Sequence, residues 1–162
     1  MKTWLKTISG GLAALALTVQ AGESAQLAER KALTLDACKQ IAAAAEKTAI
    51  SNKWNMWIVI IDDGGNYLYV ERMDEAQLGS LDVATQKARS AAFFKRPTKG
   101  FSDALTAGQT YILKVPNAMP IEGGIPLMVD GKIIGAIGVS GGSAQQDGVV
   151  AQAGADVLNS MK

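Results

Sequence analysis

GGIPLMVDGKIIGAIGVSGGSAQQD, residues 123–147, decides the fold. Its seven glycines sit among residues that otherwise favour strands, Ile125 to Val129 and then Ile133 to Val139. Asp130-Gly131 between the two runs supplies the positive φ of a tight turn. The stretch therefore reads as an antiparallel hairpin, Ile125–Val129 and Lys132–Ser140. Glycine weakens a strand, so each one inside a sheet marks a bend, a close backbone approach or a ligand. Gly135 and Gly138 lie inside the second strand, where close packing is the expected reason. Gly123, Gly124, Gly141 and Gly142 flank the strands and are the candidates for a cleft. Ser140, Gly141 and Gly142 stand between a strand end and a helix start, where free backbone N–H groups can hold a carboxylate. The alternative is that these glycines merely make the turn. Gly135, Gly138 and Gly141 form GxxGxxG, not the GxGxxG of a dinucleotide fold, and no strand follows the helix after it.

Downstream, Ser143 is a helix cap with Gln146 at capping-box distance, opening the last helix. Upstream, a second hairpin is expected, with strands Met56–Ile61 and Tyr67–Met73 around a turn at Asp62–Asn66. In the second of these strands Tyr67, Tyr69 and Glu71 alternate with Leu68, Val70 and Arg72, which predicts two different faces. Thr34 caps a helix over 35–53, and Ser80 caps another over 81–95 with an alanine stripe at Ala84, Ala88, Ala91 and Ala92. Pro97 ends that helix, a short helix follows Thr98, and Lys114–Gly124 with its two prolines reads as an irregular loop. Hairpins beside segregated helices predict an antiparallel α+β domain rather than a βαβ unit. A single domain over 34–162 is expected, without repeats.

The first 21 residues read as a secretory signal peptide: Lys2 and Lys6, an apolar run from Ile8 to Val19, and Val19-Gln20-Ala21 as the cleavage site. The run is too short to span a bilayer, which needs about 20 residues. Residues 22–33 are polar and mixed, a tether. Cleavage removes Lys2 and Lys6 and leaves 14 basic against 15 acidic residues, a near-neutral chain without the basic footprint of a nucleic-acid binder. No later stretch is apolar enough to cross a membrane. Cys38 is the single cysteine and falls on one helical face with Leu35, Ala42, Ala45 and Ala49, as a core residue would. Histidine is absent. That excludes a Ser-His-Asp triad, a Cys-His pair, His-based zinc sites and imidazole ligation of haem iron.

Charged candidates are few. Arg72 can clamp a carboxylate bidentately at a strand end crowded with Glu71, Asp74 and Glu75, against the plainer reading of a solvated ion pair. Lys87 and Arg89 add cations on a helix, where exposed charge ordinarily serves solubility. Asp62 and Asp63 are better explained by turn chemistry than by acid–base work. Asp74, Lys87 and Asp147 are the candidate acid–base groups, none with an evident partner, so no catalytic residue is assigned. Phe93 and Phe94 point about 100° apart on their helix, so one of them faces away from the domain core, and this helix or the Pro116–Pro120 loop is expected at an interface between copies of the chain.

The stretches VIIDDGGNYLYVERMDEAQLGSLDVATQKARSAAFF and GGIPLMVDGKIIGAIGVSGGSAQQD together resemble the GlcG/HbpS family, which includes the C-terminal domain of PduO-type proteins. The likeness runs from about Leu33 to Met161. It implies a profilin-like α+β fold, a central antiparallel sheet flanked by helices, and self-assembly into homo-oligomers. It also implies a link to haem binding or degradation, or to glycolate, aromatic or diol catabolism. The missing histidine departs from members that ligate haem through it. Haem here would need Met, Tyr, Lys or a non-protein ligand, with Met73, Met119 and Met128 available. Three readings follow. The first is an exported, periplasmic or secreted small-molecule binder holding haem or another carboxylate-bearing ligand through Arg72, Asp74, Lys87, Gly123, Gly124, Ser140, Gly141, Gly142 and Asp147. The second is an enzyme or accessory factor acting on a small carboxylate. The third is an oligomeric interaction module without a ligand.

Overall fold

The computed structural model describes residues 26–161. The signal-peptide expectation, the start of the tether and the last residue lie outside them.

Four antiparallel strands form one sheet in the order β2-β1-β4-β3: β1 Trp57–Asp62, β2 Tyr67–Arg72, β3 Gly124–Val129 and β4 Lys132–Ser140. Both expected hairpins are present, and β1 pairs with β4 across the sheet centre, Trp57 opposite Ser140 and Asp62 opposite Gly135. The central strands are apolar without alternation because both of their faces are covered. Ile58, Ile60, Ile137 and Val139 face α1 (Leu35–Asn52) and α4 (Ala144–Asp156), and Cys38 is buried in this layer. Val59, Ile61 and Ala136 face α2 (Ser80–Phe94). α3 (Lys99–Thr106) is the short helix expected after Thr98, a 3-10 turn at Thr110–Lys114 follows it, and residues 115–123 form the irregular loop expected before β3.

The alanine stripe of α2 rests on β4, and Gly138 makes the approach possible. A Cβ at Gly138 would run into the Ala84 carbonyl and lie 2.7 Å from the Ala88 nitrogen. Thr34 caps α1 through its side chain, and Ser143 and Gln146 close a full capping box on α4. Ser80, expected as a cap, is instead the first residue of α2 and buried; Gly79 occupies the cap position with no side-chain bond. The Asp62 carboxylate accepts from the Gly64 and Asn66 N–H groups, and the Asn66 amide holds it below its usual range. Turn chemistry is indeed its role.

The alternation expected in β2 breaks. Tyr69 lies opposite Ile60 and Tyr67 opposite Ile61, so Leu68 is the extra residue of a bulge. Leu68 and Tyr69 pack on the α1 side, whereas Tyr67 reaches the α2 side, its hydroxyl 3.1 Å from Thr85 Oγ1. Residues 26–34 form no helix or strand and pass the far end of the sheet. There Arg30 pairs with Asp63, Lys31 Nζ lies 3.2 Å from Asp130, and Leu33 covers Gly135.

Candidate functional site

Seven of the nine sequence-selected residues meet at one end of the sheet. Lys87 sits in the α2 stripe, three residues after Ala84 and four before Ala91, so the helix turns it inward with the alanines. It is fully buried. Its ammonium donates to Asp147 Oδ2 at 2.6 Å and to the Val139 carbonyl at 3.1 Å. Asp147, in the first turn of α4, is equally buried, and its Oδ1 accepts from the Gly142 N–H at 3.0 Å. The pair joins α2 on one face of the sheet to α4 on the other. Burial pushes the Asp147 carboxyl up and the Lys87 ammonium down, and their mutual hydrogen bond opposes both shifts.

The flanking glycines make room for this pair. Gly123 has φ +126°, and a Cβ there would fall 2.9 Å from Lys87 Nζ and 2.8 Å from Asp147 Cβ. Gly124 lies against the Lys87 carbonyl and makes two hydrogen bonds with buried Thr98: its N–H donates to the side-chain Oγ1 at 2.9 Å, and its carbonyl accepts from the Thr98 N–H. Gly141 is enclosed by the Asn55 carbonyl, and Ser140 is buried. The carboxylate expected at the 140–142 turn is therefore present, and it belongs to the chain itself.

Arg72 stands at the same sheet end but outside this cluster. Its Nη2 donates to the Ala76 carbonyl at 3.0 Å, and its guanidinium lies 5.4 Å from the Trp57 ring centre. Asp74 is exposed and makes no hydrogen bond or ion pair among the described residues. Sequence reasoning missed Thr98. For Lys87 the plainer alternative to a site role was an exposed helix charge, whereas its spacing within the alanine stripe signals the burial found here.

With both charged groups sealed, this end is a structural tie. Open space lies elsewhere. A groove of about 480 Å³ runs beside α4 among Pro97, Lys99, Glu122, Ile125 and Val149. A cleft of about 520 Å³ lies at the opposite end of the sheet, beneath the 28–30 segment, between Phe93, Lys95, Lys132 and Ile133. Both exceed the ~300 Å³ at which small-molecule pockets begin. Phe93 is the more exposed of its pair, at 43%, while Phe94 stacks edge-on to Phe101 at 5.0 Å.

The fold and its clefts define a profilin-like α+β domain with room for a small organic molecule and no exposed nucleophile–base pair in the cluster that the sequence singled out. More particularly, the chain belongs to the HbpS-like family, whose model, described as "Haem degrading protein HbpS-like", matches residues 33–156. Protein GlcG of Escherichia coli is 41% identical over 100 residues, 62% of this chain and 75% of that protein. The crystal structure of Klebsiella pneumoniae protein ORFY superposes with a TM-score of 0.78 at 34% identity, covering 86% of this chain and all of that one. A structure described as a PduOC:heme complex superposes at 0.72 with 30% identity, covering 80% of this chain and 96% of that one.

The residues present fit a haem-like molecule only in part. Tyr67, Tyr69 and Tyr111 have their hydroxyls engaged with Thr85, Glu71 and Gln109. Met56 is fully buried and Met73 packs on the core. The cleft beneath residues 28–30 offers an apolar wall and cations, and no Met, Tyr or Cys lines it.

Proposed function

We propose that this chain is an exported, homo-oligomeric protein that binds haem or another carboxylate-bearing organic molecule. The observation that carries the reading is its membership of a family described by haem chemistry, with a relative's structure described as a haem complex. Two clefts of ligand size support it. Export rests on the Lys2, Lys6 and Ile8–Val19 pattern, with cleavage after Ala21. Assembly is supported by apolar side chains exposed around the Pro116–Pro120 loop: Tyr111 at 64%, Leu113 at 63% and Ile121 at 39%.

Titration of the processed protein with haem tests the reading. A saturable Soret shift at fixed stoichiometry is expected. A signal that grows linearly with haem, as in non-specific partitioning, overturns it. Intact mass of the exported protein is expected to match a chain beginning at Gly22, and a species retaining Met1 in the exported fraction overturns the export.

A further inference from the structure

The cleft between the two hairpin turns has the chemistry of a receptor for a flat molecule with carboxylates at its edge. We infer that Phe93, Ile133, Lys95 and Lys132 bind such a ligand there, with the apolar ring on the first two and its acid groups on the two lysines. This inference deepens the haem reading above and rests on it.

Phe93 lies in the last turn of α2, with its ring edge over Gly65 in the β1–β2 turn, where a side chain would collide with it at 2.8 Å. That glycine lets the ring lie across the turn and leaves it 43% exposed. Ile133 and Ala92, both largely buried, form the apolar floor behind it. Aromatic and aliphatic faces of this kind hold planar rings through area and stacking.

The charge is uneven around the rim. Arg30 is paired with Asp63, which leaves Lys95 and Lys132 without an ion-pair partner among the described residues. Lys95 and Lys132 both line the cleft, and Glu29 is the one acid there without a cation bound to it. The groove beside α4 has the opposite balance: Lys99 is held by Asp103, while Glu122 and Asp156 add negative charge. An acid-bearing ligand is therefore favoured under residues 28–30 and disfavoured beside α4.

No Met, Tyr or Cys lines the cleft, and its two unpaired amines, Lys95 and Lys132, are taken by the ligand's acid groups, so recognition falls on the ring and those acids rather than on iron. Metal-free protoporphyrin is expected to bind nearly as tightly as haem.

The test is fluorescence and absorbance titration of the full processed chain with protoporphyrin IX and with haem. Four forms are compared: wild type, Lys95→Glu/Lys132→Glu, Phe93→Ala, and a control with the same charge change, Lys39→Glu/Lys47→Glu, on exposed positions of α1. The rim double variant is expected to lose roughly tenfold or more in affinity for both ligands, and Phe93→Ala several-fold. The control is expected to stay within about twofold of wild type. Wild type that binds while the cleft variants behave like the control overturns this site and leaves the haem reading standing. Binding of haem but not of protoporphyrin IX also overturns it, since iron ligation would then dominate. Wild type that binds neither overturns both.

Discussion

At the residue scale, Lys87 and Asp147 are the most consequential pair in the domain. Two charges taken out of water are costly, and their attraction offsets that cost only while both are present. Lys87→Met leaves the Asp147 carboxylate buried with only backbone N–H groups of the Gly141-Gly142 turn as partners. A loss of about 3–5 kcal/mol is expected in urea unfolding. Adding Asp147→Asn, which keeps an acceptor for Gly142, is expected to recover most of it. A double variant as unstable as the single one would show that the pair does not act as a unit. The pH dependence has a defined sign. Burial raises the folded-state pKa of Asp147 above 3.8, and loss of Lys87 removes the contributions that lower it. Above that raised pKa the lone carboxylate is charged and the penalty is complete. As pH falls through it, the native state takes up a proton that the unfolded chain does not hold, and the deficit of Lys87→Met against wild type shrinks. A deficit that is flat or growing toward pH 4 would contradict this. The glycines follow the same logic of enclosure. Gly124 and Gly141 were set apart from Gly135 and Gly138 as cleft residues, yet backbone carbonyls block a Cβ at Gly124, Gly135, Gly138 and Gly141 alike. Gly124→Ala is expected to lower thermal stability as much as Gly138→Ala, by roughly 1–3 kcal/mol each.

At the scale of elements, caps and turns were read in the sequence because their chemistry is local. Thr34 and Ser143 bond to N–H groups three residues away, and no distant part of the chain is needed to satisfy them. Ser143→Ala is expected to cost about 1 kcal/mol by thermal or urea unfolding, since the reciprocal Gln146 bond to the Ser143 N–H survives. Ser80 shows where local chemistry fails. It has the right residue type, but the loop before it closes through backbone bonds, Ser80 N–H to the Gln77 carbonyl among them, and α2 begins one residue early. The bulge at Leu68 is a second case. Alternation alone predicts Tyr67 and Tyr69 on one face, and pairing with β1 separates them.

At the scale of the whole molecule, the two ends of the sheet differ in kind. The end that holds Gly123, Ser140 and Lys87 is sealed, and the end that holds the two hairpin turns is open beneath residues 28–30. Assembly and ligand binding are accordingly expected to separate by mutation. Leu113→Glu, beside the Pro116–Pro120 loop, is expected to lower the assembly state in sedimentation without unfolding the domain. Phe93, on the helix that the sequence offered as an alternative interface, lines the cleft instead, and Phe93→Glu is expected to weaken ligand binding and leave assembly intact. A wild-type monomer at tens of micromolar would remove the assembly proposal altogether.

The amino-acid sequence by itself determined the two hairpins, the three long helices, the α+β class and the family. Each of these rests on short-range signals: Asp-Gly turns, capping residues, apolar runs and motifs in fixed order. It also brought Lys87, Gly123, Gly124, Ser140, Gly141, Gly142 and Asp147 into view as a group. What those residues do was decided only by tertiary structure. Lys87 and Asp147 are 60 positions apart, and nothing local reveals that one neutralises the other. Whether a turn's N–H groups are free for a ligand depends on which side chain the fold delivers to them, and here the fold delivers Asp147. The cleft at the far end is assembled in the same way. Arg30, Phe93 and Lys132 come from three separate segments, and their shared surface exists only once β1 and β4 have paired.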